Sequence, residues 1–120
     1  MNIAKSFFVA SAVLIASSSF AAGDPAVGAV KAAACVSCHG NNAFPGFFPL
    51  VQLAGRNADK LVIKTNKYHN WKIISPMMNL AVMPLTQQDI EDISAYYQSL
   101  GKPAFPMQGI RGDEDTQAGG

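Results

Sequence analysis

The chain has 120 residues, 14% of them charged, and its nine basic and eight acidic side chains leave a formal net charge of +1. That length suggests a single domain, and the near-neutral balance, without a long basic run, excludes a phosphate-binding stripe for nucleic acid. The charges are nonetheless segregated. Arg56, Lys60, Lys64, Lys67 and Lys72 fall together around Asp59, while Asp89, Glu91, Asp92, Asp113, Glu114 and Asp115 crowd the C-terminal third. This describes two solvated faces, or a dipole steered toward a charged partner.

Residues 1–21 read as a secretory signal peptide. Lys5 precedes an apolar run from Phe7 to Ala16, serines 17–19 break it, and Ser19-Phe20-Ala21 fits a small-x-small cleavage site. The rival reading is an uncleaved anchor, for which the run is short. Export to the periplasm is therefore expected. Residues 22–101 form the expected domain, and residues 102–120 an acidic tail with little to bury, expected to be disordered.

Asp24 and Pro25 read as a helix cap and first turn. Val27, Val30 and Ala34 recur at helical spacing and predict a helix over 25–34, running into Cys35. "GNNAFPGFFP", residues 40–49, predicts a loop with something apolar beneath its phenylalanines. Asn57 or Arg56 opens a second helix, with Leu61, Val62 and Tyr68 on one face. "SPMMNLAVMPL", residues 75–85, holds three of the five methionines and begins and ends with proline-bounded turns. Thr86 then caps a helix with Asp89 as a short-armed capping box. Its stripe is Ile90, Ile93, Tyr97 and Leu100, and Gly101 stops it, with Pro103 beyond. The fold class expected is all-α, with three or four short helices and long loops.

Both cysteines of the chain, and one of its two histidines, lie in "CVSCHG", residues 35–40. A Cys35–Cys38 disulfide would close a very small loop and stabilise little. A thioredoxin-like pair needs a βαβ setting, and none is visible. Zinc would have only Cys35, Cys38, His39 and His69, and adjacent Cys38 and His39 fit one tetrahedron poorly. Cys-x-x-Cys-His is also the attachment sequence of c-type haem. Two thiols become thioethers to the haem vinyl groups, and His39 falls below the iron. This reading accounts for all three residues and agrees with export. One covalent haem c would also give Phe44, Phe47, Phe48, Leu50, Leu53, Ile73, Ile74 and Leu80 an apolar disc to pack on. The sixth ligand decides function: methionine suits electron transfer, an open site ligand binding. The candidates are Met77, Met78, Met83, Met107 and His69, although a lone loop histidine is usually a solvated surface residue.

The order Gly28, "CVSCHG", "FPLVQLAG" and "MMNLAVMPLTQQDIEDISAYYQSL" resembles the small bacterial class I cytochromes c, in particular the kind that also occurs as two-haem tandem domains. The resemblance covers about residues 22–101. It implies a methionine ligand in the loop before the last helix, seven residues ahead of Leu85, which is Met78, with Met77 and Met83 as alternatives. It implies that Gly28 lets the first helix cross the last, against Tyr96 or Tyr97. It also implies that the Pro49 carbonyl accepts the His39 Nδ1–H. Arg56 stands where the family usually has Gln, the segment between Pro49 and Leu53 is longer than usual, and "KTNKYHNWKIIS" matches poorly. A haem-propionate hydrogen bond from Arg56 or Trp71 is a further expectation, Trp71 and Tyr68 otherwise reading as core anchors.

The function implied is an exported, six-coordinate, monohaem electron carrier rather than an enzyme, since no acid, base or nucleophile is required. Its expected partners are a transient redox donor and acceptor, such as a membrane oxidase or reductase or a dehydrogenase subunit, docking on the stretch Arg56 to Lys72. Two alternatives stand beside it: an electron-entry subunit of a larger dehydrogenase, and a ligand-binding haem protein with an open distal site.

Overall fold

The computed structural model describes residues 22–103, so the expected signal peptide (1–21), nearly all of the expected tail and Met107 lie outside the described residues. The described chain has five α-helices and a short 3₁₀ turn, and no strand: α1 (Pro25–Lys31), α2 (Ala33–His39), the 3₁₀ turn (Pro49–Val51), α3 (Ala58–His69), α4 (Pro76–Val82) and α5 (Gln87–Ser99). The all-α expectation is met.

The first expected helix is two. Ala32, fully buried, separates α1 from α2, and α2 continues to His39, so the cysteine–histidine segment is itself helical. The apolar stripe also differs. Val27 and Val30 are 42% and 78% exposed, and the residues buried against the rest of the fold are Gly28 and Ala32. The inner face of α1 needs small residues because the backbones of α1 and α5 nearly touch. A Cβ on Gly28 would overlap the Asp92 carbonyl and lie 2.9 Å from Tyr96 Cβ. Tyr96 is thus an aromatic partner of the crossing, as expected, and the α5 backbone itself is the tighter constraint.

Charge fastens this crossing. Lys31 Nζ lies 2.7 Å from Asp92 Oδ2 and 2.6 Å from Asp89 Oδ1. Asp92 is buried, and its Oδ1 accepts from the Asp24 N–H and the Gln88 amide. Lys31 holds both carboxyls below the usual carboxylate range, Asp89 down to about 2. Asp24 caps α1 by accepting from the N–H groups of Ala26 and Val27. The expected Thr86–Asp89 capping box is present in both directions.

α3 opens at Asn57, whose side chain accepts from the Lys60 N–H. It buries Leu61 against Ile93 and Tyr97 of α5, with Ala32 completing the core and Cys35, Leu53, Leu85, Tyr96 and Leu100 packed around it. Its C-terminus is a Schellman motif: Lys72 N–H donates to Lys67 O at 2.8 Å, and Trp71 N–H to Tyr68 O at 3.1 Å. Glycine usually takes the left-handed position of that motif, but here it is Trp71, with φ of 57°. Trp71 is 51% exposed, so it is not a core anchor. Between its two proline-bounded ends the methionine segment, a loop by the resemblance, is helix α4. Pro76 sits at its first turn, where a missing N–H costs nothing, and Pro84 follows its end.

Candidate functional site

Helix α2 places Cys35 and Cys38 one turn apart, on one face, with both thiols half-buried and unpaired. Burial pushes the Cys35 thiol up. His39 is the last residue of α2, and Gly40 turns the chain at φ 69°. A Cβ there would stand 2.6 Å from the Pro45 carbonyl carbon and 2.7 Å from Gln52 Nε2. The loop then folds back beneath the helix. Phe47 N–H and Phe48 N–H donate to the carbonyls of Ser37 and Cys38, at 2.9 and 3.1 Å, satisfying groups that the end of α2 leaves unpaired.

His39 Nδ1 lies 2.7 Å from the carbonyl of Val51, not that of Pro49. The 3₁₀ turn explains the correction: the Pro49 carbonyl is turned to the Gln52 N–H at 3.3 Å, and the turn delivers the next free carbonyl, two residues on, to the imidazole. A carbonyl only accepts, so Nδ1 carries the proton and Nε2 presents its lone pair. Burial lowers the His39 pKa, against the Val51 bond, and the charge of Arg56 pushes the same way as burial. Gln52, 1% exposed, braces the turn. Its amide donates to Asn41 O at 2.9 Å and Phe44 O at 3.4 Å, and its Oε1 accepts from the Ala54 N–H at 2.8 Å.

Opposite, α4 directs Met78 Sδ to within 3.4 Å of His39 Nε2. Met78 is half-buried, whereas Met77 and Met83 are 67% and 57% exposed. The next residue, Asn79, is fully buried. Its amide donates to Tyr68 O at 2.7 Å and Ile73 O at 2.9 Å, and its Oδ1 accepts from the Ser75 N–H at 2.7 Å. His69 is not a solvated loop residue. It ends α3, and its Nε2 lies 3.1 Å from the Leu85 carbonyl, which ties α3 to the segment just before α5. Among the described residues no three His, Cys, Asp or Glu side chains converge as a metal site, which leaves zinc without a ligand set there.

The structure brings together Cys35, Cys38, His39 and Met78. Arg56 is half-buried, and its Nε donates to Gln52 O at 2.7 Å. Trp71 stands on the exposed α3–α4 connection. Sequence reasoning missed Val51, Gln52 and Asn79. The first acts through its backbone and leaves no side-chain signal. The two amides were visible as lone polar residues inside the apolar runs "FPLVQLAG" and "MMNLAVM", a pattern that marks a buried polar group with assigned partners.

These residues fit haem c on three counts. The imidazole lone pair and the thioether face one another. His39 and Met78 would hold the haem iron between them, and an unbranched methionine can adjust to admit it. Phe44, Phe47, Phe48 and Leu50 on the histidine side, and Ile74 and Leu80 on the methionine side, are 40–75% exposed on the polypeptide alone, an apolar surface suited to an apolar disc. The Tyr97 hydroxyl, beside Cys35, is buried with no hydrogen-bond partner among the described residues.

No protein-family model matches the chain. It is 37% identical over 82 residues to cytochrome c4 of Pseudomonas aeruginosa, covering 66% of this chain and 39% of that protein. It is 34% identical over 83 residues to cytochrome c4 of Thiocapsa roseopersicina, covering 67% and 42%. The chain thus spans about two-fifths of the length of these relatives. With cytochrome c-554(548) of Halomonas halodenitrificans it shares 35% identity over 86 residues, 65% of this chain and 98% of that protein. A cysteine–histidine helix facing a methionine helix, on an all-α frame that spans nearly the whole of such a relative, places this chain among the bacterial class I cytochromes c, with covalently bound haem c as its cofactor.

Proposed function

We propose that the protein is a periplasmic carrier of single electrons, with haem c joined to Cys35 and Cys38, His39 on one side of the iron and Met78 on the other. The observation that carries this reading is the approach of His39 Nε2 and Met78 Sδ, with the imidazole already held from behind by Val51. Bound haem c supplies the ferrous–ferric couple. The Val51 carbonyl orients His39 and raises the basicity of Nε2. Met78 occupies the opposite side, where a thioether favours a higher potential and excludes exogenous ligands. Residues 22–101 act as the electron-carrying domain, delivered by the signal peptide at 1–21. Lys64, Lys67 and Lys72, exposed along and just beyond α3, offer a basic face to an acidic redox partner. Docking there is weak and small in area, as electron-transfer encounters are. Relatives named cytochromes c support this reading.

The test is an optical spectrum of the exported holoprotein, oxidised and reduced, with carbon monoxide added to the reduced form. The expected result is a sharp c-type α band, a weak far-red methionine band when oxidised, and no response to carbon monoxide. A high-spin spectrum with ready carbon monoxide binding contradicts it and moves the ligand-binding reading to first place. One observation favours a permanent subunit instead, the exposure of Val27 and Val30 on the outer face of α1. Sedimentation of the exported protein as a lone chain removes that alternative.

A further inference from the structure

Three methionines lie within seven residues on one short segment, and the segment must present one of them. Met77 and Met78 are adjacent on α4, so a rotation of about 100° about the helix axis exchanges them. Met83 follows the last turn. The rotation and height of α4 are therefore what select the thioether. α4 has only seven residues, and the Ser75 side chain makes no capping bond. A helix of that length is not stable by itself, so something outside it must set its position.

Asn79 meets that need. Its backbone N–H donates to Ser75 O at 2.8 Å while its Oδ1 takes the Ser75 N–H at 2.7 Å, a two-way clamp on the residue that opens the helix. Both amide hydrogens are used on other segments, on Tyr68 O near the end of α3 and on Ile73 O in the connection. One side chain thus ties α4 in rotation and in height to α3 and to the connection before it. The site is closed to water, so an unpaired group there has no substitute partner. Only the asparagine side chain fits: aspartate would face two carbonyl oxygens with no hydrogen to offer, and glutamine is one methylene too long for a fully buried slot.

We propose that Asn79 is the positioning residue that selects Met78 over Met77 and Met83 as the thioether facing His39. The proposal rests on the His39/Met78 reading above. Asn79 touches neither the iron nor the thioether in this role and acts through the helix.

The test compares wild-type holoprotein with Asn79→Asp and the milder Asn79→Ser, well below their melting temperatures. Three readouts are followed: the far-red methionine band, the strongly shielded methionine methyl signals in the proton spectrum of the reduced form, and the rate of carbon monoxide binding. The expected result is a weakened band, more than one shielded methionine methyl, and carbon monoxide binding faster by about tenfold or more. Adding Met77→Leu should then remove one of the extra methyl signals. If both variants melt earlier but keep one methyl, the full band and closure to carbon monoxide, Asn79 is only a structural brace and the proposal fails. A measurement on the unaltered protein covers the case of variants that do not fold: the Asn79 side-chain amide hydrogens should exchange slowly with solvent, and fast exchange overturns the clamp. Met78→Leu separates this from the underlying reading. If it leaves the wild-type methyl signal in place, the His39/Met78 assignment fails whatever Asn79 does.

Discussion

The two halves of the site are held in unequal ways. On the histidine side, residues 35–54, the constraints are many and redundant. Two loop N–H groups bond the end of α2, the Asn41 side chain accepts from the N–H groups of Ala43 and Phe44, Gln52 braces the 3₁₀ turn, and Val51 grips the imidazole. On the methionine side, residues 73–83, a seven-residue helix hangs from one buried amide and the packing of Val82. Rigidity is concentrated around the proposed haem attachment, and the segment that carries the proposed opposite ligand is held by fewer bonds. The methionine side should therefore give way first under stress, with the histidine side intact.

The comparison can be broken most severely at Gln52. Gln52→Ala removes a partner from the Asn41 carbonyl and the Ala54 N–H in a buried loop, while the Phe44 carbonyl keeps the Asn41 N–H, at about 1–3 kcal/mol for each group left without a partner. A loss of roughly 3 kcal/mol is expected in urea unfolding. Because Val51 and the α2 bonds remain, the folded variant should keep its far-red methionine band. Loss of the band in the folded state would show that the histidine side is no more redundant than the other.

A second perturbation leaves both halves alone and acts on the α1–α5 crossing. Asp89 and Asp92 are held as carboxylates by Lys31. Their native pKa values lie below the unfolded ones, so their contribution is full above the ordinary carboxylate range and is lost as pH falls through the native values, about 2 for Asp89. Lys31→Met removes the partner, lets both carboxyls protonate at higher pH and moves the acid-unfolding midpoint upward. The visible spectrum should stay unchanged until that transition. An unmoved midpoint contradicts the assignment of the crossing to this charge cluster.

The smallest effect sharpens the methionine side. Trp71 holds a left-handed backbone at a cost of about 1 kcal/mol or somewhat more. Trp71→Gly relieves it and should stabilise the holoprotein by about 1 kcal/mol in thermal melting. Destabilisation instead would mean that the indole contributes contacts worth more than the strain, as the expected propionate bond would.

Much of this was legible before any coordinates. The capping box at Thr86, the stop at Gly101, the Asn57 cap and the role of Gly28 all follow from local chemistry, and each stands where the residues put it. The errors share a cause. The spacing of Val27 and Val30 marks a helix but not its buried face, which has to be small because α5 approaches so closely. Pro49 yielded to Val51 because a 3₁₀ turn decides which carbonyl faces outward, and no side chain records that choice. The prolines mark the ends of the methionine segment but hide the helix between them, since one opens it and the other follows its end. Long-range packing and backbone geometry were the missing information in each case.

The central claim is that Met78, and not a neighbour, stands opposite His39. Its most direct test is the proton spectrum of the reduced holoprotein, in which a methionine methyl held over the haem ring is strongly shielded. One such methyl is expected, lost in Met78→Leu and retained in Met77→Leu and Met83→Leu. A shielded methyl that survives Met78→Leu, or none in the wild type, would contradict the account.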